Sequence, residues 1–203
     1  MNIKRFGSAY ILAGGQSRRF GENKAIVSIS GEPLIVRLAN QLASEGQDVT
    51  LVTQKASDYL AYGIPVMEDG VDNAGPLAGV IAALRASSQK GDEWCLISSC
   101  DILDWRKEWF PVLKGAVESS ASALAAIFSG EEHGGFRPFP GLYRSTLVGL
   151  AEEVWAEGVR SMREFHRRTE SLGKVEKCPL RPDLLPKTFN TRAELEQILL
   201  FRL

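Results

Sequence analysis

Residues 9–24 constrain this chain more than any other stretch. Ala9-Tyr10-Ile11-Leu12-Ala13 is an unbroken apolar run of strand length, and Gly14-Gly15 ends it. A run that is apolar at every position fits a strand covered on both faces, as in a parallel sheet between helices. The two glycines allow a tight turn and leave backbone N–H groups uncovered by side chains. Arg18, Arg19, Gly21 and Lys24 follow. The loop therefore offers bare amide donors and then cations, a combination that suits a polyphosphate. On these residues alone, a solvated basic turn after an ordinary strand stays open as the alternative. Spacing excludes two common phosphate loops. A P-loop needs adjacent Gly-Lys, whereas Glu22 follows Gly21, and no G-x-G-x-x-G occurs in the chain.

The remainder alternates between strand and helix signals. A helix is expected over 34–44, with Leu34, Leu38 and Leu42 on one face, Pro33 at its first position and Gly46 as its stop. Strands are expected at 49–53 and 64–67 around a short helix at 58–61. A further helix opens at Gly75-Pro76 and runs to about Ser88, followed by an apolar strand at 94–99. The second half reads as a helix over 107–119, a strand over 121–128, a polar loop over 130–135 and a strand over 139–143. Helices at 145–156 and 161–168 and an edge strand at 174–178 come next. Thr191, with Glu194 three residues later, forms a capping box that opens the last helix to Leu200. The pattern predicts an α/β fold in one domain spanning 1–203: a three-layer, Rossmann-like, mostly parallel sheet with right-handed crossovers.

Charge bounds the partners. With 24 Lys+Arg against 25 Asp+Glu, no whole-protein field points to nucleic acid or to a membrane surface, so any cationic function must be local. No apolar segment approaches the length of a membrane span. The first seven residues carry no hydrophobic signal core, so a cytoplasmic location is expected. Cys95, Cys100 and Cys178 form no C-x-x-C pair, and His133 and His166 have no metal-type spacing to them. No zinc site is expected, and Cys95 and Cys100 read as small buried residues.

In open α/β sheets ligands sit beyond the carboxyl ends of the strands. The Gly14-Gly15 loop, the Glu68-Asp69 pair and Asp101 all fall there. Asp101 directly follows the apolar run 94–100, a poor place for a carboxylate unless something positive accompanies it. A Mg²⁺ shared with phosphate oxygens would supply that charge; an aspartate capping a turn is the plainer alternative. Gly75 to Gly79 offer small residues at a helix start, suited either to close approach of a ligand or to simple packing. Asn190 and Thr191 stand just before the last helix, where capping is the plain reading. No Ser-His-Asp set suggests a protein nucleophile.

The arrangement L-A-G-G-x-S-x-R-x-G-x-x-K, carried by Leu12, Ala13, Gly14, Gly15, Ser17, Arg19, Gly21 and Lys24, resembles the signature loop of nucleotidyltransferases. Within that superfamily it is most similar to the molybdenum cofactor guanylyltransferases. The resemblance implies a fold of the nucleotide-diphospho-sugar transferase type. It implies transfer of GMP from GTP to the phosphate of molybdopterin, with release of pyrophosphate. Carried over position by position, it assigns Arg19, Lys24 and Asp101 to catalysis, with Asp101 as a ligand of Mg²⁺. Nucleotide contacts fall to Leu12, Ala13, Gly14, Gly15, Lys24, Asp69 (with Asp72 as its competitor), Gly75 and Gly79, and Asn190 falls to the pterin or a phosphate. GTP and molybdopterin are the implied partners, with molybdenum-insertion or molybdoenzyme-assembly proteins as further ones. The chain departs from the family pattern at three places. Ile102-Leu103 replace a small or polar residue and a proline after Cys100-Asp101, Thr188 replaces an asparagine, and Arg192 replaces a proline. Two other readings accompany the first: a cytidylyl- or uridylyltransferase for another phosphorylated acceptor, and a non-catalytic molybdopterin-handling partner.

Overall fold

The structure, a computed structural model, describes residues 6–14, 20–70, 75–130 and 136–200. In chain order the first half comprises β1 (Ser8–Leu12), β2 (Ser28–Ile29), β3 (Glu32–Pro33), α1 (Leu34–Ser44), β4 (Asp48–Thr53), β5 (Val66–Glu68), α2 (Pro76–Lys90) and β6 (Trp94–Ser99). The second half comprises α3 (Trp109–Glu118), β7 (Ala123–Ser129), β8 (Arg137–Arg144), α4 (Val148–Ala156), α5 (Met162–Leu172), β9 (Lys174–Pro179) and α6 (Arg192–Leu200). Seven strands form a sheet in the order β5-β4-β1-β6-β8-β7-β9. β1 lies between two parallel neighbours, with Ile11 opposite Leu51 on one side and Ser98 on the other.

The pleat sorts the apolar runs onto two cores, because successive strand side chains point to opposite faces. Ala9, Ile11 and Ala13 join Trp94 and Leu96 against Ile35 and Leu38 of α1 and Trp109 and Leu113 of α3. Tyr10 and Leu12 join Cys95 and Ile97 against Leu77, Val80 and Leu84 of α2, Val154 of α4 and Phe165 of α5. This two-sided burial explains why β1 and β6 read as continuous apolar runs. A smaller cluster of Phe20, Ile29, Leu34, Leu103, Phe189 and Leu195 places α6 against the segment that follows the glycine loop.

The departures from the expected elements are local. β8 is antiparallel to both β6 and β7, since only seven residues separate it from β7 and a parallel crossover needs a dozen or more. The short helix expected at 58–61 is instead two 3₁₀ turns, Ala56–Asp58 and Leu60–Tyr62. They are followed by Gly63 in the left-handed region (φ +68°). Pro33 precedes α1 rather than opening it, because it pairs with Ser28 in a two-stranded ladder. The strand expected at 64–67 starts two residues later, at Val66. Pro65 has no N–H to give a ladder, although its carbonyl accepts from Leu51 N–H at 2.8 Å. The expected capping box forms one residue out of place. Thr191 Oγ1 accepts the Glu194 N–H at 3.2 Å, but the Glu194 carboxylate takes the N–H of Asn190 at 2.6 Å. No helix among the described residues is long and apolar enough to cross a membrane.

Candidate active site

The parallel strands bring their carboxyl ends to one edge, and backbone bonds continue past them. Ala13 N–H reaches Val52 O at 2.8 Å, Cys100 N–H reaches Leu12 O at 3.1 Å, and Asp69 N–H reaches Thr53 O at 2.9 Å. The ends of β1, β4, β5 and β6 are thereby held in register, which fixes where Gly14, Asp69 and Asp101 leave the sheet.

Asp101 receives its positive partner from the chain itself. Lys24 Nζ lies 3.1 Å from Asp101 Oδ2, each side chain 19% exposed. The other carboxylate oxygen accepts from Ser99 Oγ at 2.5 Å. Two residues 77 positions apart therefore form one half-buried charged pair, oriented by a strand hydroxyl. Among the described residues no group of three His, Cys, Asp or Glu side chains could hold a metal ion. A cation here would take Asp101 as its protein ligand and complete its shell with water and ligand phosphate oxygens. That donor set fits Mg²⁺, which usually keeps waters and binds through one or two carboxylates plus phosphates.

Asp69 and Gly14 meet. A side chain at residue 14 would bring its Cβ within 3.4 Å of Asp69 Oδ2 and 3.8 Å of Gln54 Cγ. Gly75 caps α2 at φ +72° and ψ −177°, a conformation close to glycine-only, with the Arg160 carbonyl 3.7 Å from where a Cβ would stand. Gly79 has a different neighbour. Its missing Cβ leaves room for Leu12 Cδ2 at 3.0 Å, so this small residue lets α2 pack against β1. Both backbone polar groups of Ala13 are taken within the protein, by Val52 and by the Tyr59 hydroxyl. Gly15, Arg19, Ser17 and Arg18 lie outside the described residues, as do Asp72 and His133.

Asn190 lines a separate cleft of about 1150 Å³ at the same edge of the second half of the sheet, with Ser129, Arg137, Lys187 and Thr188. Only a short link separates this cleft from Asp101. Ile102 forms a bridge with Thr188, and Leu103 N–H reaches Lys187 O at 3.4 Å. Two of the three departures from the family pattern are thus bonded to each other. A proline at position 103 could not donate that N–H. The third, Arg192, pairs with Glu22 and sets its guanidinium 5.7 Å from the Phe20 ring.

Sequence reasoning missed Tyr59 and Asn23. Tyr59, 2% exposed, donates to Ala13 O at 3.1 Å and accepts from Asn23 Nδ2 at 2.9 Å. A buried tyrosine in a polar stretch was a faint signal, since a buried phenol normally finds a partner. The cysteines supply no nucleophile: all three are free and buried. Burial pushes the Cys95 and Cys100 thiols up to about 12 and Cys178 to about 11.

The family described as "MobA-like NTP transferase domain" matches residues 9–172. The chain belongs to this family. It is a nucleotidyltransferase domain whose matched region contains Gly14, Lys24, Asp69 and Asp101, while Thr188 and Asn190 fall beyond it. Among curated relatives, a molybdenum cofactor guanylyltransferase of Pseudomonas entomophila is 30% identical over 162 residues, covering 77% of this chain and 80% of its own. One from Desulfosudis oleivorans is 27% identical over 191 residues, covering 92% and 91%. Among solved structures, molybdopterin-guanine dinucleotide biosynthesis protein A from Archaeoglobus fulgidus superposes with a TM-score of 0.77 at 20% identity, over 97% of this chain and 100% of that one. At that identity the likeness speaks for the fold.

Proposed function

We propose that this NTP transferase domain moves GMP from GTP to the terminal phosphate of molybdopterin. A phosphate oxygen of the acceptor attacks the α-phosphorus. The bond from that phosphorus to the oxygen leading to the β-phosphate breaks, and pyrophosphate leaves with the electron pair. The acceptor is already an anionic nucleophile near neutral pH, so alignment and charge compensation suffice without a general base.

The observation that carries the reading is the convergence of a glycine-ended strand, Asp69 and the Lys24–Asp101 pair at one sheet edge. The names of the curated relatives supply the substrate class. Lys24 and Arg19 would neutralise phosphate oxygens, and the amides of Gly14 and Gly15 would hold the nucleotide beside Leu12 and Ala13. Asp69 would face the nucleoside from across Gly14. Gly75 and the start of α2 would border the base; Gly79 would act there through its packing on Leu12. Asp101 would hold Mg²⁺, which supplies positive charge to the reacting phosphates when bound. Asn190 would meet the acceptor from the neighbouring cleft.

Base choice tests this. Thermal stabilisation should be measured with GTP, ATP, CTP and UTP, each with Mg²⁺, followed by pyrophosphate release in the presence of molybdopterin. Selective stabilisation by GTP with turnover is expected. Preference for CTP or UTP would move the protein to another transferase branch, and GTP binding without pyrophosphate would make it a molybdopterin-handling partner.

A further inference from the structure

Two described backbone segments flank residues 15–22 in sequence: Ala13-Gly14 before them and Asn23-Lys24 after them. Between them, in space, stands one buried hydroxyl. Tyr59 Oη donates to Ala13 O at 3.1 Å and accepts from Asn23 Nδ2 at 2.9 Å. The amide orientation of Asn23 is fixed by its second contact, because Asn23 Oδ1 accepts the Ala25 N–H at 3.1 Å and caps the 3₁₀ turn Lys24–Ile26. Tyr59 itself reaches this point from the 3₁₀ turns between β4 and β5, where its ring packs into the core and tilts against Tyr62.

We propose that Tyr59 is a positioning residue, a clamp whose hydroxyl aims the Gly14 amide and the Lys24 ammonium at the same anionic ligand. The direction follows from peptide geometry. In a trans peptide the N–H points opposite to the preceding carbonyl. Leu12 O points to Cys100 and Ala13 N–H to Val52, so anchoring Ala13 O on Tyr59 turns the Gly14 N–H away from Tyr59, to the side where Asp101 leaves β6. On the other arm, Asn23 sets the start of the turn that carries Lys24 to 3.1 Å from Asp101. If Ala13 O lost its donor, this peptide plane could rotate, and a bare amide that no longer faces the ligand contributes nothing to binding it. Burial pushes the phenol up to about 12, so the donor proton is present throughout the neutral range.

The inference rests on a phosphate ligand at Gly14 and Lys24 but not on which base the nucleotide carries. The test uses the full chain and the variant Tyr59→Phe, which keeps the ring and removes the clamp. Binding is measured by calorimetry for three probes: inorganic tripolyphosphate with Mg²⁺, GTP with Mg²⁺, and guanosine. Tyr59→Phe should weaken tripolyphosphate and GTP by about tenfold or more, the scale of one hydrogen bond to a charged group, and leave guanosine within about twofold. Asn23→Ser provides the second variant. Serine still caps a helical turn but is too short to reach Tyr59, so it should show a smaller loss of the same selective kind. Equal weakening of guanosine and tripolyphosphate, or a lowered melting temperature with all three affinities intact, would reduce Tyr59 to a structural residue. A parent protein that binds tripolyphosphate but prefers another nucleotide overturns the guanine reading and leaves the clamp standing. One that binds no tripolyphosphate overturns both.

Discussion

Replacing Asp101 by Asn separates a residue that acts on substrate from one that merely balances Lys24. The pair lies at 3.1 Å with both side chains 19% exposed. Coulomb attraction at that distance is about 5 kcal/mol for an effective dielectric of about 20, but desolvation of the two groups offsets most of it. The net worth of a half-buried pair is then about 1 kcal/mol. Asp101→Asn keeps an acceptor for Ser99 Oγ and loses the charge. The melting temperature should therefore fall by only about 2–4 °C in a chain of this size. Turnover should fall far more, by about 10²–10³, the scale of one electrostatic contact made in the transition state. A double-mutant cycle with Lys24→Ala sharpens the distinction. For stability, the double variant should resemble either single one, because either substitution already removes the pair. For turnover it should be worse than both if, as proposed, each residue also serves the ligand. The assays are calorimetric unfolding and pyrophosphate release across a Mg²⁺ titration. If Asp101→Asn keeps near-normal turnover with unchanged Mg²⁺ dependence, the two residues serve only each other; a double variant no slower than a slowed single one would mean instead that the pair acts on the ligand as a single unit.

Three further outcomes follow from the packing. His166 is 4% exposed with its Nε2 3.0 Å from Tyr143 Oη, and burial lowers its pKa to about 4. The unfolded chain takes up the proton near pH 6.5 and the folded one does not, so stability is full above about pH 6.5 and is lost on descending to about pH 4. About 3 kcal/mol is at stake by linkage; denaturant unfolding at pH 7 and 4.5 should show it, and His166→Gln should flatten the difference. Gly141→Ala should destabilise by about 2–3 kcal/mol, because its Cβ would stand 2.7 Å from Pro138 O and 3.1 Å from Ala126 O, backbone atoms that cannot step aside. A melting temperature within a degree or two of the parent would contradict that. Leu103→Pro, which restores the family pattern, should cost about 3 kcal/mol or more, by removing a fully buried side chain and the N–H to Lys187. Equal or greater stability on denaturant titration would show that the turn tolerates either residue.

What could be read in advance follows the range of each interaction. β6 was expected at its observed bounds because burial on both faces makes its first four residues, Trp94 to Ile97, continuously apolar. α1 was legible because Leu34, Leu38 and Leu42 share a buried stripe and Gly46 ends it at φ +76°. The direction of β8 was not, since a strand pattern has period two whichever way the chain runs. At the site, residue types at strand ends pointed to Gly14, Asp69 and Asp101, for each sits where its own element stops. The mutual pairing of Lys24 and Asp101 spans 77 positions and the Tyr59 contacts span 36 and 46. No local pattern records such contacts. Gly79 shows the opposite case: its place in a motif was visible, but its neighbour Leu12 was not.

The bridge from Ile102 to Thr188 bears on how this chain could be recombined with its relatives. A crossover placed anywhere between residues 104 and 186 would unite one parent's turn after Asp101 with another parent's carboxy-terminal segment. In a chimera taking proline at 103 with the native 187–189, Lys187 O would lose its donor while Phe189 still pressed toward a missing leucine. The two short segments behave as halves of a single exchangeable part, although some 80 residues of chain lie between them. Grafting 102–103 together with 187–192 should give soluble hybrids where grafting either alone gives aggregates, and any library built on this scaffold should treat them as one locus.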